Sequence, residues 1–118
     1  MENKQSLGRS GEAFAVRYVT ESGLYIIAQN YRCPKGEMDI IARDGEALIF
    51  IEVRTRRSSY RGWGEETITR QKARRLQAIA SYYVLQQGYI NWPSIRFDVV
   101  AIRWTGKDPE INWIQAAL

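Results

Sequence analysis

The stretch from 36 to 57, GEMDIIARDGEALIFIEVRTRR, sets Glu37, Asp39 and Glu52 inside the most apolar segment of the chain, with Arg54 two residues beyond Glu52. Asp44-Gly45, between two apolar runs, is a strong two-residue hairpin signal. Read as that turn, it predicts Arg43 opposite Glu46, Asp39 opposite Phe50 and Glu37 opposite Glu52. Cross-strand partners share a face, and side chains alternate along each strand. Glu37, Asp39, Glu52 and Arg54 are then expected on one side of the sheet, with Asp39 diagonal to Glu52. Carboxylates this close repel unless something neutralises them. A divalent cation can do so through oxygen ligands, and it can also polarise a phosphodiester and activate water. A fixed cation such as Arg54 would stabilise charge growing on phosphate oxygens. The plainer alternative is that the carboxylates pair with arginines on a solvated face. Against it, Ile40, Ile41, Ile49, Phe50 and Ile51 mark the strands as central.

Composition narrows the chemistry further. The chain has 118 residues and no histidine, with 45% hydrophobic and 25% charged residues. That length suggests one domain, 1–118, with a single real core. The lack of histidine excludes Ser-His-Asp and Cys-His nucleophile systems and His-bearing zinc sites. A metal site must use oxygen ligands, which favours Mg²⁺ or Mn²⁺. Cys33 is alone, so no internal disulfide can form. With no signal-like apolar region and no membrane-length apolar run, a cytoplasmic location is expected and a membrane partner is not. The net charge of +4 is uneven. Arg54, Arg56, Arg57, Arg61, Arg70, Lys72, Arg74 and Arg75 crowd one stretch against only Glu65 and Glu66. This reads either as a polyanion-binding surface or as a solvated charged face.

The elements that must position these residues follow from periodicity. Residues 6–22 read as a helix with Leu7, Gly11, Phe14 and Tyr18 on one face and Gly23 as its stop. A strand is expected over 24–33, a turn at Pro34-Lys35-Gly36, and hairpin strands over 37–43 and 46–55. The span 56–66 reads as a polar loop. Thr67 is a candidate cap for a helix running to Gln87, with Ile68, Leu76, Ile79, Ala80 and Tyr83 as its apolar stripe. Strands at 95–104 and 110–114 complete the order α-β-β-β-α-β-β. A helix between two strands implies a crossover over a mixed sheet.

With these motifs in view, the chain resembles the YraN family of small bacterial proteins. The segments that carry the likeness are GRSGEAFAVRYV, IIAQNYRC, GEMDIIARDG, LIFIEVRTRR, KARRLQAIASYYV and RFDVVAI, from about Gly8 to Ile102. The family is regarded as part of the PD-(D/E)xK nuclease superfamily, close to archaeal Holliday junction resolvases. The resemblance implies a restriction-endonuclease-like α/β (α+β) fold with an α-β-β-β-α-β core. It implies Asp39 and Glu52 as metal-holding acids, although Met38 stands where the motif name has proline. The Val53 carbonyl becomes a further ligand, and Glu12 matches the acid on the first helix of resolvase-type members. For Glu12 the physical alternative is a solvated helix residue. Arg54 occupies the superfamily lysine position. Because guanidinium stays charged in proteins, Arg54 can grip phosphate but is a poor general base.

Lys72 is the candidate replacement. Ile68, Lys72, Leu76 and Ile79 step by four, four and three, which puts Lys72 on the core-facing stripe. Either its stem packs and its amine snorkels to water, or the amine reaches the carboxylates. Arg56, Arg57, Arg61 and Trp63, with glycines at 62 and 64, suit a loop that grips phosphate and stacks a base, or simply a surface loop. Arg70, Arg74 and Arg75 would extend that grip along the second helix. Asp98 is expected to pair with an arginine such as Arg96, and Trp92, Trp104 and Trp113 to serve the core or an interface. The functional expectation is a metal-dependent endonuclease-like protein that binds DNA, with branched DNA and a homodimer entering through the resolvase likeness. The alternatives are a catalytically weakened nucleic-acid-binding module and an interaction adaptor of the same fold.

Overall fold

The computed structural model describes residues 4–57, 68–104 and 108–118. Helix α1 (Lys4–Glu21) leads into strands β1 (Tyr25–Cys33), β2 (Gly36–Asp44) and β3 (Ala47–Arg57). Helix α2 (Arg70–Gln87) and strands β4 (Ile95–Trp104) and β5 (Pro109–Ile114) follow. The five strands lie in sequence order. All neighbours pair antiparallel except β3 and β4, which pair parallel across the α2 crossover. The result is an α+β architecture with a mixed sheet, consistent with a restriction-endonuclease-like fold. No helix among the described residues is long and apolar enough to cross a membrane.

Period-two alternation along β3 feeds two separate cores. Ile49 and Ile51 pack with Ala15 and Val19 of α1, whereas Leu48 and Phe50 pack with Leu76, Ile79, Ala80 and Tyr83 of α2. A strand covered on both faces must be apolar in nearly every position, which explains the run Leu48–Ile51. The α2 face adds an aromatic column, with Phe50 at 5.9 Å from Tyr83 and Tyr83 at 5.4 Å from Tyr31, both edge-on.

Helix α1 stops where the glycine signal placed it. The amide of Gly23 (φ 107°) donates to Thr20 and that of Leu24 to Val19, a Schellman closure on a residue that accepts a left-handed backbone. Its buried face is Gly11, Ala15 and Val19, with Phe14 and Tyr18 flanking it. This displaces the expected stripe by part of a turn, because Gly11 is the point of contact with the sheet. A Cβ at Gly11 would stand 2.1 Å from Thr55 Oγ1, so only glycine lets α1 approach β3 this closely.

Three local expectations are corrected. The hairpin closes at Asp44↔Ala47 and pairs Arg43 with Leu48 and Ile41 with Phe50, two residues out of step with the expected register. Parity survives a shift of two, but the pairings Arg43–Glu46, Asp39–Phe50 and Glu37–Glu52 do not. The span 56–66 is not loop from its start, since β3 continues through Arg56 and Arg57 against Arg103 and Trp104 of β4. Helix α2 is capped by Thr69, whose hydroxyl accepts from the Lys72 amide at 3.1 Å, rather than by Thr67, which lies outside the described residues. Thr69 sits one residue before the first helical position, where its oxygen satisfies an otherwise unpaired amide.

Candidate nuclease-like site

Strands β2 and β3 stay together only as far as Ile40↔Ile51. Beyond that level β2 runs on to Gly36 against β1, while β3 runs on to Arg57 against β4. The strands therefore part, and Asp39 and Glu52 are the first residues past the fork. Asp39 bridges the opening: its Oδ2 accepts from the Val53 amide at 2.7 Å, replacing a lost backbone acceptor. Gly36, Glu37, Met38, Asp39, Glu52, Arg75 and Leu76 enclose a cavity of about 310 Å³ at the fork. Asp39 and Glu52 thus open onto one space. Glu37 stands at its exposed edge, paired with Arg32 at 3.0 Å.

Glu52 is held from two sides. Arg54 Nε and Nη2 each lie 3.1 Å from its Oε2, and Lys72 Nζ lies 2.5 Å from its Oε1. Of the two fates open to Lys72, the amine reaching the carboxylates is the one observed. The reason is the cap at Thr69, which sets Lys72 in the first turn of α2, over the fork. Arg54 is buried beside Glu52, only 9% exposed.

Asp39 and Glu12 form the second half of the site. Burial pushes the Asp39 carboxyl up, with the charges of Glu52 and Glu37 adding to the rise, while the Val53 amide opposes it. Glu12 is also raised, first by burial and then by the charge of Asp39 and a hydrogen bond with it. Glu12 is not a solvated helix residue: the close approach at Gly11 carries it to the fork.

Among the described residues no group of three or more acidic or cysteine side chains converges as a closed metal cage. Asp39 and Glu52 on one cavity, beside Val53, instead offer an open set of hard oxygen donors. That suits a small cation such as Mg²⁺, which keeps several waters and takes only one or two carboxylates.

The remaining expected residues divide. Arg70, Arg74 and Arg75 are exposed on the N-terminal half of α2, and only Arg75 lines the cavity. Arg56 is half-buried and donates to the Thr55 carbonyl at 3.1 Å, so it is part of the strand end rather than of a gripping loop. Arg57 closes β3, and Arg61 and Trp63 lie outside the described residues. Asp98 is buried on β4 across from Ile51, and its carboxylate is taken up by neighbours other than the fork acids. It accepts from Arg96 Nε and Nη2 at 2.8 Å each, Trp113 Nε1 at 2.9 Å and the Ala116 amide at 3.0 Å. Trp113 and Trp104 are half-buried, edge-on to Tyr18 and Phe14, whereas Trp92 is 58% exposed and does not serve the core. One residue carried no expected role and yet bears on the site: Asn30, which acts to lower the Glu12 carboxyl against the rise from burial. An asparagine inside a strand-forming run was the available signal, since such residues favour turns over strands.

The family model described as Uncharacterised protein family UPF0102 matches residues 11–102, which include every residue of the fork. A UPF0102 protein of Desulfitobacterium hafniense is 55% identical, with 97% of each chain covered. One from Caldicellulosiruptor saccharolyticus is 43% identical over 98% of both chains, and one from Anaeromyxobacter dehalogenans is 41% identical over 98% of this chain and 86% of its own. With the matched span running from the α1 glycine through the hairpin to β4, the chain belongs to the UPF0102 (YraN) family.

Proposed function

We propose that this protein is a Mg²⁺- or Mn²⁺-dependent DNA endonuclease whose reaction centre is the β2–β3 fork. The observation that carries the reading is the meeting of Asp39 and Glu52 on one cavity, with a lysine and an arginine already in contact with Glu52. In this reading Asp39, Glu52 and the Val53 carbonyl hold the cation and Glu12 assists through Asp39. The bound cation supplies Lewis-acid polarisation of a phosphodiester. Arg54 is a fixed guanidinium and stabilises charge on the equatorial phosphate oxygens. Lys72 is a compact, mobile ammonium; when phosphate enters, it can donate to that phosphate or orient the attacking water while staying within reach of Glu52. Arg70, Arg74 and Arg75 hold the DNA backbone beside the cavity. Contacts of that kind give affinity without sequence information, so binding is expected to follow the shape of the nucleic acid rather than its sequence.

A second reading has its own support. Glu52 is neutralised by two cations without any metal, and the superfamily lysine position holds Arg54. A module of this fold that binds nucleic acid without cutting it would need no more. Incubation with linear, nicked and four-way DNA, with and without Mn²⁺, separates the two. Mn²⁺-dependent cleavage that is lost in Glu52→Gln supports the enzyme; binding without cleavage in either protein supports the module.

A further inference from the structure

The end of the sheet opposite the fork, where β2 turns into β3, has a different surface. From Leu76 to Ile95 the chain carries no charged residue, although 25% of the whole sequence is charged. The first half of that span is the buried face of α2, with Leu76, Ile79, Ala80, Tyr83 and Val84. The second half is not buried: Leu85, Tyr89, Ile90 and Trp92 are exposed, Ile90 at 98%. Tyr25, which pairs with Arg43 at the same end, is exposed too, with the Arg43 guanidinium 5.0 Å from its ring centre. Exposed surface that is rich in aromatic side chains and poor in charge is characteristic of the centre of a protein interface.

The shape of this end is also specific. The connection from α2 to β4 is tied to the start of β3 by the Leu48 amide, which donates to the Ser94 carbonyl at 2.8 Å. Between that connection and the hairpin turn lies a cavity of about 540 Å³, whose walls include Arg43, Gly45, Glu46, Tyr89, Asn91 and Trp92. Ile90 lies between Tyr89 and Asn91 in the chain but is not part of the wall; it stands free in solvent. A protruding knob thus sits beside a hole, and the hole carries charges of both signs in Arg43 and Glu46. Such a surface is self-complementary, which is what a twofold contact between identical chains requires.

Charge selects the partner. Arg70, Lys72, Arg74 and Arg75 occupy the first half of α2, which has 18 residues. At 1.5 Å per residue, the opposite end of α2 lies about 27 Å from its start. A nucleic acid would meet no cation along 76–95, whereas two copies of a chain of net charge +4 repel least where that charge is absent. We infer that the hairpin end is a homodimer interface. Ile90 of each copy enters the cavity of the other, and Arg43 meets Glu46 across the twofold axis. The two forks then face away from each other, one at either end of the dimer, each with its own basic face. The inference stands apart from the endonuclease reading, because its test reads mass rather than cleavage.

Sedimentation equilibrium of the full chain at micromolar concentration and physiological salt should give twice the 13.7 kDa of the single chain. Ile90→Glu and Trp92→Ala should each weaken dimerisation by about thirtyfold or more, the scale of an interface hot spot. Urea unfolding of the Ile90→Glu monomer should show an intact fold, since that side chain packs on nothing in its own chain. Arg43→Glu and Glu46→Arg should each weaken the dimer, and the double variant should recover it. A monomeric mass for the unsubstituted chain would overturn the inference, as would an undiminished dimer in Ile90→Glu. A chain that stays monomeric but loses DNA affinity on Trp92→Ala would assign the face to nucleic acid, and would overturn it equally.

Discussion

Lys72 Nζ stands 2.5 Å from Glu52 Oε1, so the first turn of α2 contributes a positive charge to a carboxylate that lies on β3. The contact links two elements separated by a long connection, and it stands opposite the pair that Arg54 makes with the other oxygen of Glu52. Both partners are partly solvated, which limits what the pair contributes to folding. Lys72→Ala should therefore change unfolding stability by no more than about 1 kcal/mol, the range of exposed ion pairs. It should nevertheless abolish Mn²⁺-dependent cleavage of nicked or four-way DNA. Cleavage at the original rate would remove Lys72 from the site, while a large loss in urea stability would make its role structural.

Asp39 is expected to oppose stability for the sake of the site. Its carboxyl is raised from its ordinary value by burial and by Glu52, so the folded chain disfavours its ionised form. A raised acid lowers stability as pH rises through its folded value, and that stability returns as pH falls toward the ordinary carboxylate range. Asp39→Asn keeps an acceptor for the Val53 amide and carries no charge. Its melting temperature at neutral pH should rise by a few degrees, its stability should vary less between mildly acidic and neutral pH, and Mn²⁺ binding should disappear. A lower melting temperature across that range would contradict the argument.

The contact of Gly11 with Thr55 gives a test that acts at a distance. Gly11→Ala places a methyl group 2.1 Å from Thr55 Oγ1, so α1 or β3 must shift. The expected cost is about 1–3 kcal/mol of overpacking in urea unfolding, with weaker Mn²⁺ binding because Glu12 moves with the helix. Adding Thr55→Ala removes Oγ1 and Cγ2 and should restore part of both losses.

Asp98 makes the opposite prediction, with a large effect on stability and none on the site. Its buried carboxylate pairs with Arg96, Trp113 and the Ala116 amide at once. Asp98→Ala leaves those donors without their acceptor, at a cost of about 3–5 kcal/mol. At temperatures where the variant is folded, Mn²⁺ affinity should be unchanged.

The basic face of α2 should appear in the salt dependence of DNA binding. If Arg70, Arg74 and Arg75 contact phosphates, affinity should fall steeply with salt, and each alanine substitution should reduce the logarithmic slope by about 1. A slope indifferent to all three would assign the face to solvent.

Much of this was readable along the chain because local physics governs it. Alternation and turn chemistry set the order of elements, the glycine at 23 stopped α1, and an uninterrupted apolar run marked β3 as covered on both faces. Hairpin parity put Asp39 and Glu52 on speaking terms, because a register error of two residues leaves the faces unchanged as far as Ile40, beyond which Met38 departs from strict alternation. The resemblance added which of these acids to single out.

Other features have no local cause. The pairing of Asp39 with the Val53 amide exists because β2 and β3 each follow a different outer neighbour beyond Ile40 and Ile51, and a hairpin pattern alone cannot show strands parting. The choice between solvent and Glu52 for Lys72 depended on where Thr69 capped α2 and on the depth of the fork beneath it. The left-handed backbone at Asn30, inside β1, has no counterpart in the residue pattern of that strand. Composition and period thus determined the layers and the side of the sheet on which the acids lie. Only the packing of two helices against a splayed pair of strands decided which charges meet, because Coulomb and hydrogen-bond energies depend on distances of a few ångströms that sequence spacing does not encode.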